Sequence, residues 1–257
     1  MSVSCVEDGV SHPNTRIQLG YGGSDITQLL SYLMTQTGAP IIYNDETIHS
    51  IKEQTCHLNL EECGVVKHNV NISDSENVTV FLGDEVVTAP LAYYHTEMLL
   101  ITGDKSVGVM GRDTGDSEDP HDHLYLRDTS RKYTKTGDIQ NDDTNDDDDN
   151  HDIDNVAGPD VSYDGHCLPL DQAILRSIEA CSNDDIKLKM LSCILVVGGG
   201  YMMRGGASYL QSRLCQSVAS VECEVVTREQ DSDTVVWRGA AVMAGILLFI
   251  NITGSPK

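Results

Sequence analysis

The segment Ile194-Leu195-Val196-Val197 runs directly into Gly198-Gly199-Gly200, and this junction constrains the fold more than any other stretch of the chain. Four consecutive apolar residues, three of them β-branched, suit a strand buried within a sheet. The three glycines that follow permit positive φ and carry no Cβ, so a ligand or another main chain can approach the backbone closely. A helix beginning beyond them would aim its free amides at the same gap, the arrangement that holds phosphate groups. Glycine-rich turns also serve plain packing, so the triple glycine by itself leaves both readings open.

Strands alternate with helices around that junction. Residues 171–181 place Ala173, Ile174 and Ile178 on one helical face, and residues 184–191 form a second helix. The strand spans 193–197 and is of the parallel kind buried on both faces. A helix over 207–214, a strand over 222–227 and a segment 235–237 leading into a final helix complete the series. Such alternation implies an α/β domain.

In the first part of the chain, residues 16–19 form a short strand. Residues 25–36 carry Ile26, Leu29, Leu30 and Leu33 at helical spacing, with Ser24 as N-cap and a stop near Gly38. A second helix covers 48–58. Residues 77–82 and 85–88 flank Gly83-Asp84 as a hairpin, and Pro90, Tyr93 and Tyr94 continue into a loop.

Charge excludes one class of function. The net charge is −23, with 17 Lys and Arg against 40 Asp and Glu, whereas a broad nucleic-acid surface needs clustered cations to neutralise phosphates. Between 138 and 160 there are ten Asp and no Lys or Arg. Like charges at that density repel and bury no core, which predicts an acidic, mostly disordered insertion over 113–161, with histone binding as the functional alternative. It separates ordered parts at 1–112 and 162–248, and a divergent tail follows at 249–257.

The eight cysteines contain no C-x-x-C pair and several fall in apolar periodic stretches, which reads as reduced core thiols in an intracellular compartment. Pro120-His121-Asp122-His123 is a solvated turn or a metal site. The longest apolar run, 240–250, is too short to span a bilayer, so no membrane partner is expected.

Several segments occur in the order seen in actins. They are Val6-Glu7-Asp8-Gly9-Val10-Ser11-His12, Gly20-Tyr21-Gly22-Gly23-Ser24-Asp25-Ile26-Thr27, Ile51-Lys52-Glu53, Gly83 to Pro90, the triple-glycine strand, and Val235-Val236-Trp237-Arg238-Gly239. The chain resembles the actin family over nearly its whole length apart from the acidic segment and the last dozen residues. The resemblance implies a partial actin-like (ribonuclease H-like) α/β fold. It further implies that the chain begins at the second of two phosphate loops, without the first lobe's sheet, and departs from the family after Leu248.

Carried over by position, the resemblance implies that Asp8, Gly9 and Val10 form the phosphate loop. Gly23 lies beside the adenosine site, Lys52 and Glu53 lie near base and ribose, and Gly198, Gly199, Gly200 and Met202 form the adenosine-side turn. His12 takes the place of the histidine near the attacking water. Two departures bear on chemistry. Cys5 stands where actins carry the aspartate that organises the metal's water shell, and Glu7 replaces a glycine of the phosphate loop. Losing one carboxylate and gaining another against the phosphates weakens Mg-ATP binding, because phosphoryl transfer rests on metal and electrostatic positioning. ATP is therefore expected to bind weakly or not at all, with no catalytic residue and no metal site.

The function implied is a non-catalytic, nuclear actin-related scaffold in a chromatin remodeller of the Ino-eighty class, in transcription regulation and DNA repair. Its implied partners are a helix of the motor subunit, actin and another actin-related protein, and through the complex nucleosomes, histones and linker DNA. The competing readings are an ATPase of the actin and sugar-kinase superfamily, which needs both phosphate loops and an intact metal carboxylate, and a filament-forming cytoskeletal actin.

Overall fold

A computed structural model describes residues 1–12, 14–37, 44–73, 76–103, 107–110, 167–218, 223–227 and 232–253. The expected acidic insertion at 113–161 and the histidine patch at 120–123 lie outside the described residues.

The first strands are short. β1 (Ser2–Val3) pairs antiparallel with β4 (Arg16–Leu19), and β4 pairs antiparallel with β7 (Val107–Met110). β4 alternates as its period-2 geometry requires, with Ile17 and Leu19 buried and Arg16 and Gln18 exposed. Between β1 and β4, β2 (Val6–Glu7) and β3 (Val10–Ser11) form a hairpin. Its two loop residues, Asp8 and Gly9, have φ of 52° and 85°. Paired positive φ marks a type I′ turn, for which Asp-Gly is a favoured sequence.

α1 (Gly23–Gln36) buries Ile26, Leu29, Leu30 and Met34, and Leu33 packs against the core as a half-buried neighbour. Its start differs from the expectation. Gly22, not Ser24, is the N-cap residue, because the Asp25 carboxylate accepts the Gly22 amide at 2.8 Å and draws the helix two residues earlier. α2 (Asp45–Thr55) likewise begins before Ile48, because the Asn44 side chain accepts the Thr47 amide at 2.8 Å. It ends at Thr55, since Cys56 turns extended and His57 and Leu58 donate their amides to Val86 and Arg204.

The hairpin expected around Gly83-Asp84 is absent. β6 (Glu76–Leu82) instead pairs backward with β5 (Val66–Ser73), in the register Val66↔Leu82. Residues after Asp84 form α3 (Glu85–Leu91), in which Val86, Val87, Ala89 and Pro90 are buried. A β-branched run reads locally as a strand, but here packing against the core decides. Tyr93 and Tyr94 lie, as expected, in the turn that follows α3, and both are buried.

In the last part, α4 (Leu170–Glu179) buries Ala173, Ile174 and Ile178 as expected, and α5 (Asp184–Ser192) follows. β8 (Ile194–Val196) pairs in parallel with β9 (Val225–Thr227), so the direction agrees with the expectation. Burial on both faces does not, for Leu195 is 56% exposed. The glycines pass into a 3₁₀ turn at Gly199–Tyr201, and α6 (Gly206–Ser217) begins only after it. The final helix α7 (Val235–Thr253) already includes residues 235–237 and leaves Trp237 exposed.

One core joins the first and last parts. Tyr21 Oη donates to Leu168 O at 2.6 Å, Thr96 Oγ1 to Cys167 O at 2.7 Å, and Ser177 Oγ to Thr15 O at 2.6 Å. Buried Asp171 is held by Arg213, whose Nε and a terminal guanidinium nitrogen both meet Asp171 Oδ2, at 3.0 and 2.8 Å. This satisfies a charge that would otherwise be costly to bury.

Candidate functional site

The start of α1, one face of α2 and the glycine turn line an open cavity of about 640 Å³. Gly23, Ser24, Thr27 and Gln28 line it from α1, Asp45, Glu46, His49, Lys52 and Glu53 from α2, and Gly199 with Gly200 from the turn. His49, Lys52 and Glu53 share a face because residues three and four apart on a helix are neighbours. Glycine lets the walls meet closely. A Cβ at Gly23 would lie 3.1 Å from Gly200 Cα, and one at Gly200 would lie 3.4 Å from Gly23 N.

A chain of polar contacts sets the protonation pattern. Lys52 Nζ donates to Gly23 O at 3.1 Å and lies 3.1 Å from His49 Nδ1. His49 Nε2 lies 3.1 Å from Glu53 Oε1. An ammonium has only donors, so Nδ1 must accept and the ring proton belongs on Nε2, directed at Glu53. Burial lowers the pKa of Lys52 from its ordinary value, and the nearby Glu53 and Cys56 oppose that shift. Burial also pushes the Cys56 thiol up to about 12, which makes it an inert core group.

Of the residues expected at the site, Gly23, Lys52, Glu53, Gly199 and Gly200 converge on this cavity. Gly198 does not line it but supports the turn: with φ of 98°, its amide donates to Ser232 O at 2.9 Å and Ser232 Oγ at 3.0 Å. Met202 lines a second cavity of about 380 Å³ together with Arg204 and Gly205. Asp8, Gly9 and Val10 lie in the β2–β3 hairpin and line neither cavity.

That hairpin is held by charge. Glu7 Oε1 lies 3.2 Å from Lys189 Nζ of α5, and Glu7 Oε2 lies 3.4 Å from His12 Nε2. The His12 contact is an ion-pair distance without hydrogen-bond geometry, which leaves that nitrogen buried with no hydrogen-bond partner. Cys5 is buried, with its Sγ 3.5 Å from Ser177 Oγ and its amide donated to Thr15 Oγ1 at 3.2 Å.

Sequence reasoning missed Asp45 and Glu46 because it began α2 at Ile48, and it missed His49, inside the expected helix, because the resemblance carried over only Lys52 and Glu53. The signal was present: Asn44 followed by Asp45 and Glu46 is an N-cap with acidic first-turn residues, and His49 stands three and four positions before the Lys52-Glu53 pair.

No protein-family model matches the chain. It is 35% identical over 277 residues to actin-related protein 8 of Aedes aegypti and 33% identical over 304 residues to that of Bos taurus, each time across 95% of this chain and 49% of the relative. Actin-related protein 8 of Drosophila melanogaster is 35% identical over 294 residues, across 95% of this chain and 48% of the relative. Among solved structures, human actin-related protein Arp8 in its ATP-bound state superposes with a TM-score of 0.67 at 31% identity, across 95% of this chain and 42% of that one. The chain thus spans about half the length of the curated relatives it matches.

Proposed function

The chain belongs to the actin-related protein 8 family and has a partial actin-like fold, and from that premise we propose that it is a non-catalytic scaffold carrying the nucleoside side of a nucleotide site. The convergence of Gly23, Lys52, Glu53, Gly199 and Gly200 on one cavity carries the nucleotide half of this reading. Nothing local joins these positions, which come from three separate elements of the chain. The walls fit the group: Gly23 and Gly200 let two main chains meet closely at the cavity, and the carboxylates offer acceptors to hydroxyl and amino donors. When bound there, the nucleotide supplies a link between α1, α2 and the glycine turn. The solved human relative is in its ATP-bound state, which supports an adenine nucleotide.

The environment of Cys5 and Glu7 supports the absence of catalysis. By the resemblance, Cys5 occupies the position of the aspartate that organises a metal's water shell. A thiol packed on Ser177 Oγ offers no hard oxygen to magnesium. Glu7 adds a carboxylate to the expected phosphate loop and is engaged by Lys189 and His12.

The scaffold role extends to partners: a helix of a remodeller's motor subunit, actin, a second actin-related protein, and through them nucleosomes, histones and linker DNA in the nucleus. A net charge of −23 favours basic partners such as histones by complementarity. The test combines two assays of the 257-residue chain. An immobilised motor-subunit helix loaded with actin should retain the chain, and phosphate release from Mg-ATP should match the protein-free blank. Turnover above that blank would make the chain an ATPase, and failure of the loaded helix to retain it would remove the scaffold role.

A further inference from the structure

The eight cysteines are not placed alike. Cys5, Cys56, Cys167, Cys181 and Cys223 are buried, whereas Cys63, Cys193 and Cys215 are exposed. One exposed thiol meets a buried cysteine: Cys215 Sγ lies 4.0 Å from the carbonyl oxygen of Cys223, between residues eight positions apart. An accessible thiol with a second cysteine beside it is the arrangement of a redox-responsive pair. Burial raises the pKa of the Cys223 thiol above its ordinary value, and the nearby charge of Cys215 and a hydrogen bond with it raise that pKa further. Cys223 therefore stays protonated while its exposed neighbour meets solutes first.

Two elements fix this meeting. Cys215 sits in the last turn of α6, one turn beyond Gln211, and Cys223 lies two residues before Val225, the first residue of β9. Gln211 Oε1 accepts the Val225 amide at 3.3 Å. Residues four apart share a helix face and residues two apart share a strand face, so Gln211 on Val225 and Cys215 on Cys223 are successive rungs between the same two elements. Burial agrees with this. Cys223 and Val225 are 4% and 9% exposed, Glu224 between them is exposed, and fully buried Leu214 anchors the end of α6. The other exposed thiols are placed differently. The β8–β9 ladder sets Ile194 opposite Val225, which puts Cys193 opposite Glu224 and on the face away from Cys223. Cys63 donates its thiol proton to Leu60 O at 3.1 Å, three residues back in the chain.

We propose that Cys215 and Cys223 form a reversible disulfide, made by a peroxide and broken by a thiol reductant. The Cys215 sulfur attacks one peroxide oxygen and the O–O bond breaks. Cys215 becomes a sulfenic acid, and the departing hydroxide takes the thiol proton and leaves as water. The Cys223 sulfur then attacks the sulfenic sulfur, the S–O bond breaks, and the second hydroxide takes the Cys223 proton and leaves as water. Both thiols are oxidised, and the peroxide receives the electron pair. The bridge ties the end of α6 to the entry of β9. Because β9 pairs with β8, and β8 leads into the glycine turn, it stiffens the strand pair that carries that turn.

Peptide mapping of the 257-residue chain tests this, because trypsin cuts after Arg213 and Arg228 and the peptide 214–228 holds both cysteines and no other. The reduced chain is treated with hydrogen peroxide in native buffer, and the remaining thiols are blocked with iodoacetamide before digestion. The expected peptide carries no alkyl group and is about 2 Da lighter than its reduced form, the mass of the hydrogens lost. Dithiothreitol should return it to the form that takes an alkyl group on each cysteine, and circular dichroism should show the native spectrum throughout. In Cys223→Ser, Cys215 should accumulate as a sulfenic acid that dimedone traps, and in Cys215→Ser, Cys223 should stay reduced at the same dose of peroxide. Recovery of the peptide with both cysteines alkylated overturns the proposal, as does Cys215 bridged to Cys193 or to a second chain. A bridge that forms only with loss of the native spectrum also overturns it, since the thiols would then meet in the unfolded chain.

Discussion

Tyr93 Oη donates to the carbonyl oxygen of Gly200 across 2.6 Å, between residues 107 positions apart. Tyr93 is fully buried, with its ring 6.2 Å from that of Tyr21 and 5.5 Å from that of Tyr201. The aromatic core therefore fixes the peptide that faces Gly23, and the cavity inherits its shape from the core. The hydroxyls of Tyr94 and Tyr201 are hydrogen-bonded to each other beside it. Burial raises the pKa of Tyr93 above its ordinary value, so it remains a donor at any physiological pH.

Replacing Tyr93 with Phe removes that donor and leaves a carbonyl unsatisfied. The expected loss of stability is about 1 kcal/mol, at the scale of one intramolecular hydrogen bond, read from urea unfolding. Nucleoside affinity should fall along with it, because Gly200 loses its anchor. Affinity equal to that of the unmodified chain would mean that the turn is held by other contacts.

A methyl group at Gly23 tests the closeness of the walls. Gly23→Ala places Cβ 3.1 Å from Gly200 Cα and 3.5 Å from Lys52 Nζ. Overpacking costs roughly 1–3 kcal/mol, while alanine returns about 1 kcal/mol of helix propensity. A net loss of about 1 kcal/mol is expected in chemical denaturation, together with loss of nucleoside binding. Stabilisation would show that the two backbones separate freely.

Much of this site was legible in the sequence where the local signal and the tertiary outcome agree. Lys52 and Glu53, and the glycines at 23, 199 and 200, were carried over by the family resemblance, and all five line the cavity. The α1 and α4 faces were readable because Ile26, Leu29 and Leu30, and Ala173, Ile174 and Ile178, repeat at helical intervals. Where propensity and packing conflict, the sequence misled. Glu85 to Thr88 is β-branched in part yet helical, and the turn holding Tyr93 and Tyr94 is buried in the core. Helix starts shifted because Asp25 and Asn44 cap from the side chain. Asp8 to Val10 lie apart from the cavity for a geometric reason that composition does not carry, a tight hairpin turned on two positive φ angles.

Cys5→Asp would restore the carboxylate that the resemblance places in actins. The position is 4% exposed and packed on Ser177 Oγ, so the new charge is desolvated. Because the one Ser177 hydroxyl proton is already donated to Thr15 O, the group is left unsatisfied, and a destabilisation of at least about 1–3 kcal/mol is expected, measured as a lowered midpoint of thermal unfolding. Phosphate release should stay at the blank. Turnover in this variant would show that the substitution at position 5 alone silences the chain.

His57 gives the fold a pH dependence of known sign. It is buried, and burial together with the positive charge of Arg204 lowers its pKa below the ordinary 6.5, with Glu62 opposing and His68 reinforcing. The unfolded chain then binds more protons near pH 6.5 than the folded one, so stability rises with pH through that window. The contribution is fully present above pH 6.5 and is lost as pH falls toward the folded value. Urea midpoints measured from about pH 7.5 down to about pH 5 should decline, and less steeply in His57→Gln. Equal slopes in the two proteins would assign the dependence to other groups.

The central claim is that segments 23–28, 45–53 and 199–200 form one nucleoside pocket. Photolabelling of the 257-residue chain with 8-azidoadenosine, followed by peptide mapping with excess adenosine as competitor, tests it most directly. Label confined to peptides from those segments, and abolished by adenosine, is the expected result. Label concentrated elsewhere, for instance on the Asp8-Gly9 hairpin, or label that adenosine does not displace, would contradict it.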